Sequence, residues 1–176
     1  TAGKHVDAFV LFSPNNVSYF SRFGFVPTER PIGYILTPTQ SILFLPRLEV
    51  EHGEQVGLID GVVGYPEYPG DRAPLETLKD KLIDLGLQSA TLGVDVDGYM
   101  RLYGYRGPRL SELLPDATIV DVVDEIEYMQ MVNSTEELEL IHEGRKWGDV
   151  AHRYLQNFSK VGVSEIEIAQ KASQAA

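Results

Sequence analysis

A short and nearly continuous apolar run, residues 6–12, most constrains how this chain can fold. Asp7 is the only polar residue within it, and the turn-forming segment Ser-Pro-Asn-Asn follows directly at residues 13–16. An apolar run of this length, bounded by turn residues, is typical of a β-strand in a protein core. The sequence therefore predicts a buried strand close to the beginning of the chain.

Several later segments also have the composition of strands. Residues 31–37 and 41–45 flank a Thr-Pro-Thr-Gln turn, and this arrangement predicts a β-hairpin. Additional strands are predicted at residues 62–65, 91–96 and 118–123.

Segments with helical character separate these strands. Leucines at positions 75, 78, 82 and 85 recur at the spacing of one helix face, between Pro74 and Gly86, which predicts a helix over residues 74–85. Shorter helices are predicted between residues 17 and 24, at 46–53 and within 99–114. An opening hairpin followed by alternating strands and helices indicates an α/β domain with a mixed β-sheet flanked by helices.

The character of the sequence changes after Asp124. Residues 134–137 (Ser-Thr-Glu-Glu) form a capping box, because the serine hydroxyl and the last glutamate can each satisfy a free backbone N–H. This box predicts a long helix over roughly residues 134–158. Residues 164–167 (Ser-Glu-Ile-Glu) form a second capping box, which predicts one further helix.

These helices suggest a division of the chain into two parts. We predict an α/β domain over residues 1–131 and the first helices of a second domain over residues 132–176. The last eight residues are good helix formers, with no Gly, Asn or Pro after them to end a helix. The sequence therefore predicts a fragment whose second domain is truncated within a helix.

Charge and composition limit the possible partners and chemistry. The chain has 176 residues, a formal net charge of −11 and no cysteine. Because an acidic surface repels nucleic acids and anionic membranes, neither is expected as a partner. The lack of cysteine excludes disulfides, thiolate zinc sites and cysteine nucleophiles. No apolar run approaches the roughly 18 residues of a membrane span and no signal peptide opens the chain, so we expect a cytoplasmic protein.

No complete catalytic or metal-binding constellation is present in the sequence. The histidines lack partners at metal-site spacing, and no nucleophile elbow, dinucleotide fingerprint or phosphate loop occurs. The best local cluster is Glu49, Glu51 and His52, which would diverge around a helix instead of meeting. Asp95 and Asp97 lack the downstream ligands of a calcium loop, so Asp97 is interpreted as a helix cap. We therefore expect no catalytic and no metal-binding residue in this chain.

A basic and aromatic segment near residue 100 allows two interpretations. Three tyrosines, Tyr99, Tyr103 and Tyr105, interleave with arginines at positions 101, 106 and 109. They could form a binding patch. The favoured interpretation is that the tyrosines pack inward while the arginines pair with the acidic surface.

Three segments carry a recognisable combination of motifs. Residues 7–23 contain a strand, a Pro-Asn turn and an aromatic pair, and they lead into Gly24-Phe25. Residues 45–51 follow the predicted hairpin as Leu-Pro-Arg-Leu-Glu-Val-Glu. Residues 125–169 contain the long predicted helix and the Gly-Val-Ser-Glu start of the next one. In this order, and over nearly the whole chain, these segments resemble the creatinase, prolidase and aminopeptidase P family.

The resemblance implies both a fold and which domain carries out catalysis. It implies that residues 1–131 adopt the ribonuclease H-like fold of the creatinase/prolidase N-terminal domain. In that family catalysis belongs to a C-terminal pita-bread domain, where two Asp, one His and two Glu hold two divalent metal ions in the peptidases, manganese, cobalt or zinc. The chain would then be the non-catalytic N-terminal domain of a Xaa-Pro dipeptidase or aminopeptidase P-like metallopeptidase. Its peptide substrate would bind through the missing domain.

The resemblance also implies a role for the N-terminal domain. In relatives it mediates self-association and helps to wall the active site, often that of the neighbouring subunit, so we expect a homodimer or a larger oligomer. Tyr19 and Arg30 are the candidates for the wall, because an aromatic ring can pack on a prolyl ring and an arginine can pair with a substrate carboxylate. The aromatic residues that could serve either an interface or the core are Tyr19, Phe20, Phe23 and Phe25.

Two alternatives stay open within this resemblance. One is the same domain in a metal-independent creatinase-like hydrolase or lyase. The other is a peptidase-like interaction module that binds a protein partner and catalyses nothing.

Overall fold

The computed structural model describes residues 5–67, 69–99 and 103–175. The chain divides into two compact units, Thr1–Glu125 and Ile126–Ala176. The first unit contains the strands, whereas the second consists of helices and their connections. The predicted domain boundary between residues 131 and 132 stays a prediction.

A six-stranded β-sheet runs through the first unit. Its strands are β1 (Ala8–Leu11), β2 (Gly33–Leu36), β3 (Ser41–Pro46), β4 (Gly61–Tyr65), β5 (Thr91–Val94) and β6 (Thr118–Asp121). Their order in the sheet is β4-β3-β2-β1-β5-β6. Strand β2 is antiparallel to β1 and to β3, while the pairs β3–β4, β1–β5 and β5–β6 are parallel. The predicted mixed sheet is thus confirmed, and so is the hairpin of β2 and β3.

Helices cover both faces of this sheet. They are α1 (Pro14–Ser21), α2 (Val50–Val56), α3 (Pro74–Asp84) and α4 (Leu110–Leu113), and a short 3-10 turn, Arg47–Glu49, precedes α2. The predicted helix over 74–85 is confirmed as α3, whose Leu78 packs in one buried cluster with Val10 and Phe44. Helix α2 packs on the opposite face so closely that a Cβ atom on Gly53 would collide with the Leu45 side chain.

The strand directions bring many loops to one edge of the sheet. Strands β1, β3, β4, β5 and β6 run in the same direction, and β2 runs against them. The carboxyl ends of five strands therefore meet the beginning of β2 at a single edge. In open α/β sheets this is the edge at which ligand sites usually form.

The connection after β6 differs from the prediction. The strand expected over residues 118–123 ends at Asp121, and an additional helix, α5 (Val123–Gln130), begins two residues later. The Asp121 carboxylate accepts a hydrogen bond from the Val123 amide at 2.9 Å, which satisfies a backbone donor at the start of the helix. The predicted strand is therefore confirmed over residues 118–121 but was two residues too long, because the Asp121 carboxylate binds the Val123 amide where α5 begins.

The two later helices begin at the predicted caps. They are α6 (Thr135–Phe158) and α7 (Glu165–Ala175). Ser134 accepts from the Glu137 amide at 3.2 Å, and the Glu137 carboxylate accepts from the Ser134 amide at 2.7 Å. The Glu167 amide donates to Ser164 at 3.3 Å. Within the described ranges, no helix combines the length and the apolar character needed to cross a bilayer.

Candidate functional site

An open cleft of about 540 Å³ lies at the edge where β3 ends and β2 begins. One wall is the segment that leads into β2, and the other is the 3-10 turn and helix α2 that follow β3. Its lining residues are Gly24, Phe25, Val26, Thr28, Arg30, Ile32, Pro46, Leu48, Glu49 and His52. The lining is largely apolar and carries the titratable side chains of Arg30, Glu49 and His52.

Arg30, predicted as a wall residue, is placed in this cleft. Its side chain is 36% exposed, and its guanidinium donates from Nε to Glu67 at 3.1 Å and from Nη1 to Glu29 at 3.2 Å. Glu67 follows β4 and lies 37 residues further along the chain, so this pair could not be predicted from residue spacing. The cation is therefore exposed to the cleft but held by two carboxylates.

Glu49 and His52 lie on the opposite wall and contact each other. Glu49 Oε2 is 3.2 Å from His52 Nδ1, and the imidazole packs against the Phe23 ring at a centroid distance of 5.0 Å. Glu51 instead lines a separate groove beside β4, together with Arg47. The prediction that these residues diverge was correct for Glu51 and wrong for Glu49 and His52, because residues three apart in a helical segment lie on the same side of it.

The described part of the chain does not offer a metal cluster. In residues 5–67, 69–99 and 103–175, no three His, Asp or Glu side chains lie close enough to hold an ion together. The cleft thus provides groups for recognition, a guanidinium, a carboxylate and an imidazole, without the several converging ligands that a two-metal centre requires.

Tyr19, the second predicted wall residue, lies outside the cleft lining. It is on α1, 42% exposed, and its ring meets Phe20 edge-on at 5.2 Å. Phe20 in turn stacks on Tyr34. Phe23 is fully buried, so it belongs to the core and not to an exposed aromatic surface. The structure therefore does not bring Tyr19 and Arg30 into one pocket.

Three buried tyrosines, Tyr65, Tyr99 and Tyr105, belong to the core cluster of the first unit. Tyr65 donates to the Pro31 carbonyl at 2.8 Å, and burial raises its pKa far above the ordinary value. Tyr99 and Tyr105 are also buried, which confirms the inward-facing interpretation for these two residues. Burial, with Tyr103 nearby, raises the pKa of Tyr99 to about 12. Arg101 of the same segment lies outside the described residues.

Asp95 and Asp97 both accept backbone hydrogen bonds at the carboxyl edge of the sheet. The Asp95 carboxylate accepts from the Phe12 amide at 2.8 Å, the Ser13 amide at 3.0 Å and the Asn16 side chain at 3.0 Å. Asp97 accepts from the Ser111 amide at 2.9 Å in the first turn of α4, whose N-cap residue is Arg109, so the predicted role of Asp97 as a local strand-to-helix cap was wrong. The role of Asp95 could not be predicted from the sequence, because its partners lie about 80 residues away. Both carboxylates are occupied by structural hydrogen bonds.

Comparison with known proteins agrees with this architecture. The family model of the creatinase/prolidase N-terminal domain matches residues 1–132. Creatinase from Bacillus sp. (strain B-0618) is 25% identical over 170 residues, which are 97% of this chain and 40% of that protein. The chain therefore spans less than half the length of this relative.

Solved structures show the same fold. The prolidase from Pyrococcus furiosus superposes with a TM-score of 0.71 at 19% identity, over 96% of this chain and 47% of that one. The X-Pro aminopeptidase from Thermotoga maritima gives the same TM-score and identity, over 96% of this chain and 46% of that one. Together with the match over residues 1–132, these findings show that the chain belongs to the creatinase/prolidase N-terminal domain family.

Proposed function

We propose that this chain is the non-catalytic N-terminal domain, with the first helices of the catalytic domain, of a Xaa-Pro dipeptidase or aminopeptidase P-like metallopeptidase. One observation carries the proposal. Structures of a prolidase and an X-Pro aminopeptidase share the fold over 96% of this chain, while the chain accounts for less than half of each of them. The remaining part of such a protein would supply the reacting groups.

The described residues of this chain do not fit the dinuclear metal centre of the proposed peptidase. No three potential ligands converge in the described ranges, and the carboxylates of Asp95 and Asp97 already accept hydrogen bonds from backbone amides. We therefore assign the two divalent ions, manganese, cobalt or zinc, to the additional domain. The role assigned to this chain is to shape the entrance of the site and to hold subunits together.

Hydrolysis by the full-length protein tests this assignment. With added manganese, cobalt or zinc it should cleave Xaa-Pro dipeptides or longer Xaa-Pro peptides, and a chelator should abolish the turnover because the ions activate the attacking water. Release of proline or of the N-terminal residue is the measurement. Turnover of other peptides only, or none, would contradict the proposal.

A second candidate is favoured by the match to creatinase, which extends over 97% of this chain. In this case the same N-terminal domain would serve a metal-independent creatinase-like hydrolase or lyase. The same assay separates the two candidates, because turnover of creatine that persists in chelator would establish the second and exclude the first.

The proposed wall can be tested at Arg30. In the full-length protein, Arg30→Ala should raise KM for a Xaa-Pro dipeptide by about tenfold, since one charge-assisted hydrogen bond to the substrate carboxylate is lost. Tyr19 is expected to contribute less, because it lies outside the cleft lining. Steady-state kinetics of each single variant and of the double variant give the measurement. Unchanged specificity in the double variant would remove both residues from the wall.

Self-association forms the last part of the proposal. The full-length protein should be a dimer or a larger oligomer at micromolar concentration. The residues of this cleft would then form part of the active-site wall of a neighbouring subunit. Light scattering coupled to size exclusion provides the measurement. A strictly monomeric protein throughout this range would contradict the proposed role in assembly.

A further inference from the structure

The guanidinium of Arg30 is fixed at two of its three nitrogens. Nε donates to Glu67 and Nη1 donates to Glu29, whereas Nη2 makes no hydrogen bond to any residue that the structure describes. Because a guanidinium is planar, two fixed nitrogens determine the direction in which the third points. Two of the five N–H donors are thus used, and of the three that remain for a ligand two are on Nη2.

The backbone beside Arg30 is fixed by a second, buried contact. The Tyr65 hydroxyl donates to the carbonyl of Pro31 at 2.8 Å, and Tyr65 is only 1% exposed. Its ring also stacks on Phe44 in the core, with the centroids 4.9 Å apart. Tyr65 is the last residue of β4, and Glu67 follows two residues later. One strand end thus holds both the main chain next to Arg30 and its side chain.

The exposure of the ion pair argues against a purely structural purpose. The Arg30 and Glu67 side chains are 36% and 60% exposed. Ion pairs this open to water contribute little to stability, because solvent screens them and ordering two long side chains costs entropy. A pair of this kind can still restrict the rotamers of a recognition residue before its ligand arrives.

We propose, building on the function proposed above, that Glu67 and Tyr65 are positioning residues for Arg30, which they hold so that Nη2 receives the C-terminal carboxylate of the substrate. Neither residue needs to touch the substrate. Tyr65 fixes the backbone from the core, and Glu67 fixes the guanidinium through its contact with Nε. Recognition of the carboxylate would therefore depend on residues at and just after the end of β4, although neither of them lines the cleft.

The test compares variants of the full-length protein on two substrates, a Xaa-Pro dipeptide and the same dipeptide with a C-terminal amide. Glu67→Ala should raise KM for the acid about two- to tenfold, the range expected for losing the immobilisation of one flexible side chain, with kcat unchanged. KM for the amide should not change. Glu67→Gln should restore the wild-type KM, since its amide oxygen still accepts from Nε. Tyr65→Phe should act on the same substrate in the same direction.

Two controls separate positioning from general charge effects. Glu54→Ala removes an exposed carboxylate that lies outside the cleft lining and should leave KM unchanged. In an Arg30→Ala background, Glu67→Ala should have no further effect. A lower KM in Glu67→Ala would overturn the proposal, because it would show that Glu67 competes with the substrate for Arg30. Equal effects on the acid and the amide would overturn it as well.

A measurement that does not depend on catalytic turnover tests the positioning role separately from the proposed peptidase function. The Arg30 Nε–H signal in ¹⁵N NMR spectra should be protected from exchange with water in the wild type and in Glu67→Gln, and unprotected in Glu67→Ala. Protection that survives in Glu67→Ala would overturn the positioning role. Failure of the protein to hydrolyse any Xaa-Pro peptide would contradict the peptidase function, and the Arg30 signal would still decide the positioning.

Discussion

Replacing Asp95 with alanine should lower the free energy of unfolding of this chain by about 3 kcal/mol. The half-buried carboxylate accepts three hydrogen bonds, from the Phe12 amide, the Ser13 amide and the Asn16 side chain. Removing it leaves two backbone donors at the end of β1 and the start of α1 without their partner. The cost of an unsatisfied backbone donor exceeds the net gain from one hydrogen bond, which is why a large effect is expected.

The loss of stability should be specific to Asp95 and should depend on how many acceptor oxygens the substitution removes. Asp95→Asn keeps one acceptor oxygen and should lose roughly half as much stability, about 1.5 kcal/mol. Asp84→Ala is the matched control, because Asp84 is exposed at the end of α3 and changes the net charge equally. It should alter stability by less than about 0.5 kcal/mol. Urea unfolding followed by circular dichroism measures the difference, and equal losses in Asp84→Ala and Asp95→Ala would contradict this account.

Local patterns predicted most of the fold. The four leucines between Pro74 and Gly86 predicted α3, since their spacing places them on one face that the core then buries. The hairpin of β2 and β3 follows from a turn between two apolar segments. In both cases the information lies within about fifteen residues, and the tertiary structure agrees with the local preference.

Contacts between distant segments could not be predicted. Asp95 and Phe12 are 83 residues apart, and no spacing rule connects them before the order of strands β1 and β5 is known. The additional helix α5 was missed for a related reason. Asp121 can end a strand or begin a helix, and its hydrogen bond to the Val123 amide is evident only in the folded chain.

The arrangement of the candidate site could not be predicted from the sequence either. Arg30 and the Glu49–His52 pair can each be selected from the sequence by residue type. Their arrangement on facing walls of one cleft depends on the antiparallel pairing of β2 with β3, which places the start of one strand beside the end of the other. The sequence favours Tyr19 as a wall residue as much as Arg30, but the fold places Tyr19 outside the cleft lining.

The most complete loss of function is expected when this chain is assayed without any additional domain. A two-metal centre needs several ligands around ions about 3.5–4 Å apart. The described residues provide only paired contacts such as Glu49 with His52, and no group of three. An imidazole and a carboxylate in an open cleft can bind a ligand. By themselves they cannot hold the two metal ions that are proposed to activate water. We therefore expect no peptide hydrolysis by residues 1–176 alone.

The direct measurement is an assay of the purified chain beside the full-length protein, at equal concentration, with manganese, cobalt or zinc added. The substrates are Xaa-Pro dipeptides and longer Xaa-Pro peptides. The full-length protein should release product, whereas the chain of 176 residues should stay at the uncatalysed background with every metal. Metal-dependent turnover by the chain alone, abolished by Glu49→Ala or His52→Ala, would show that the reacting site lies in this cleft and would contradict the account.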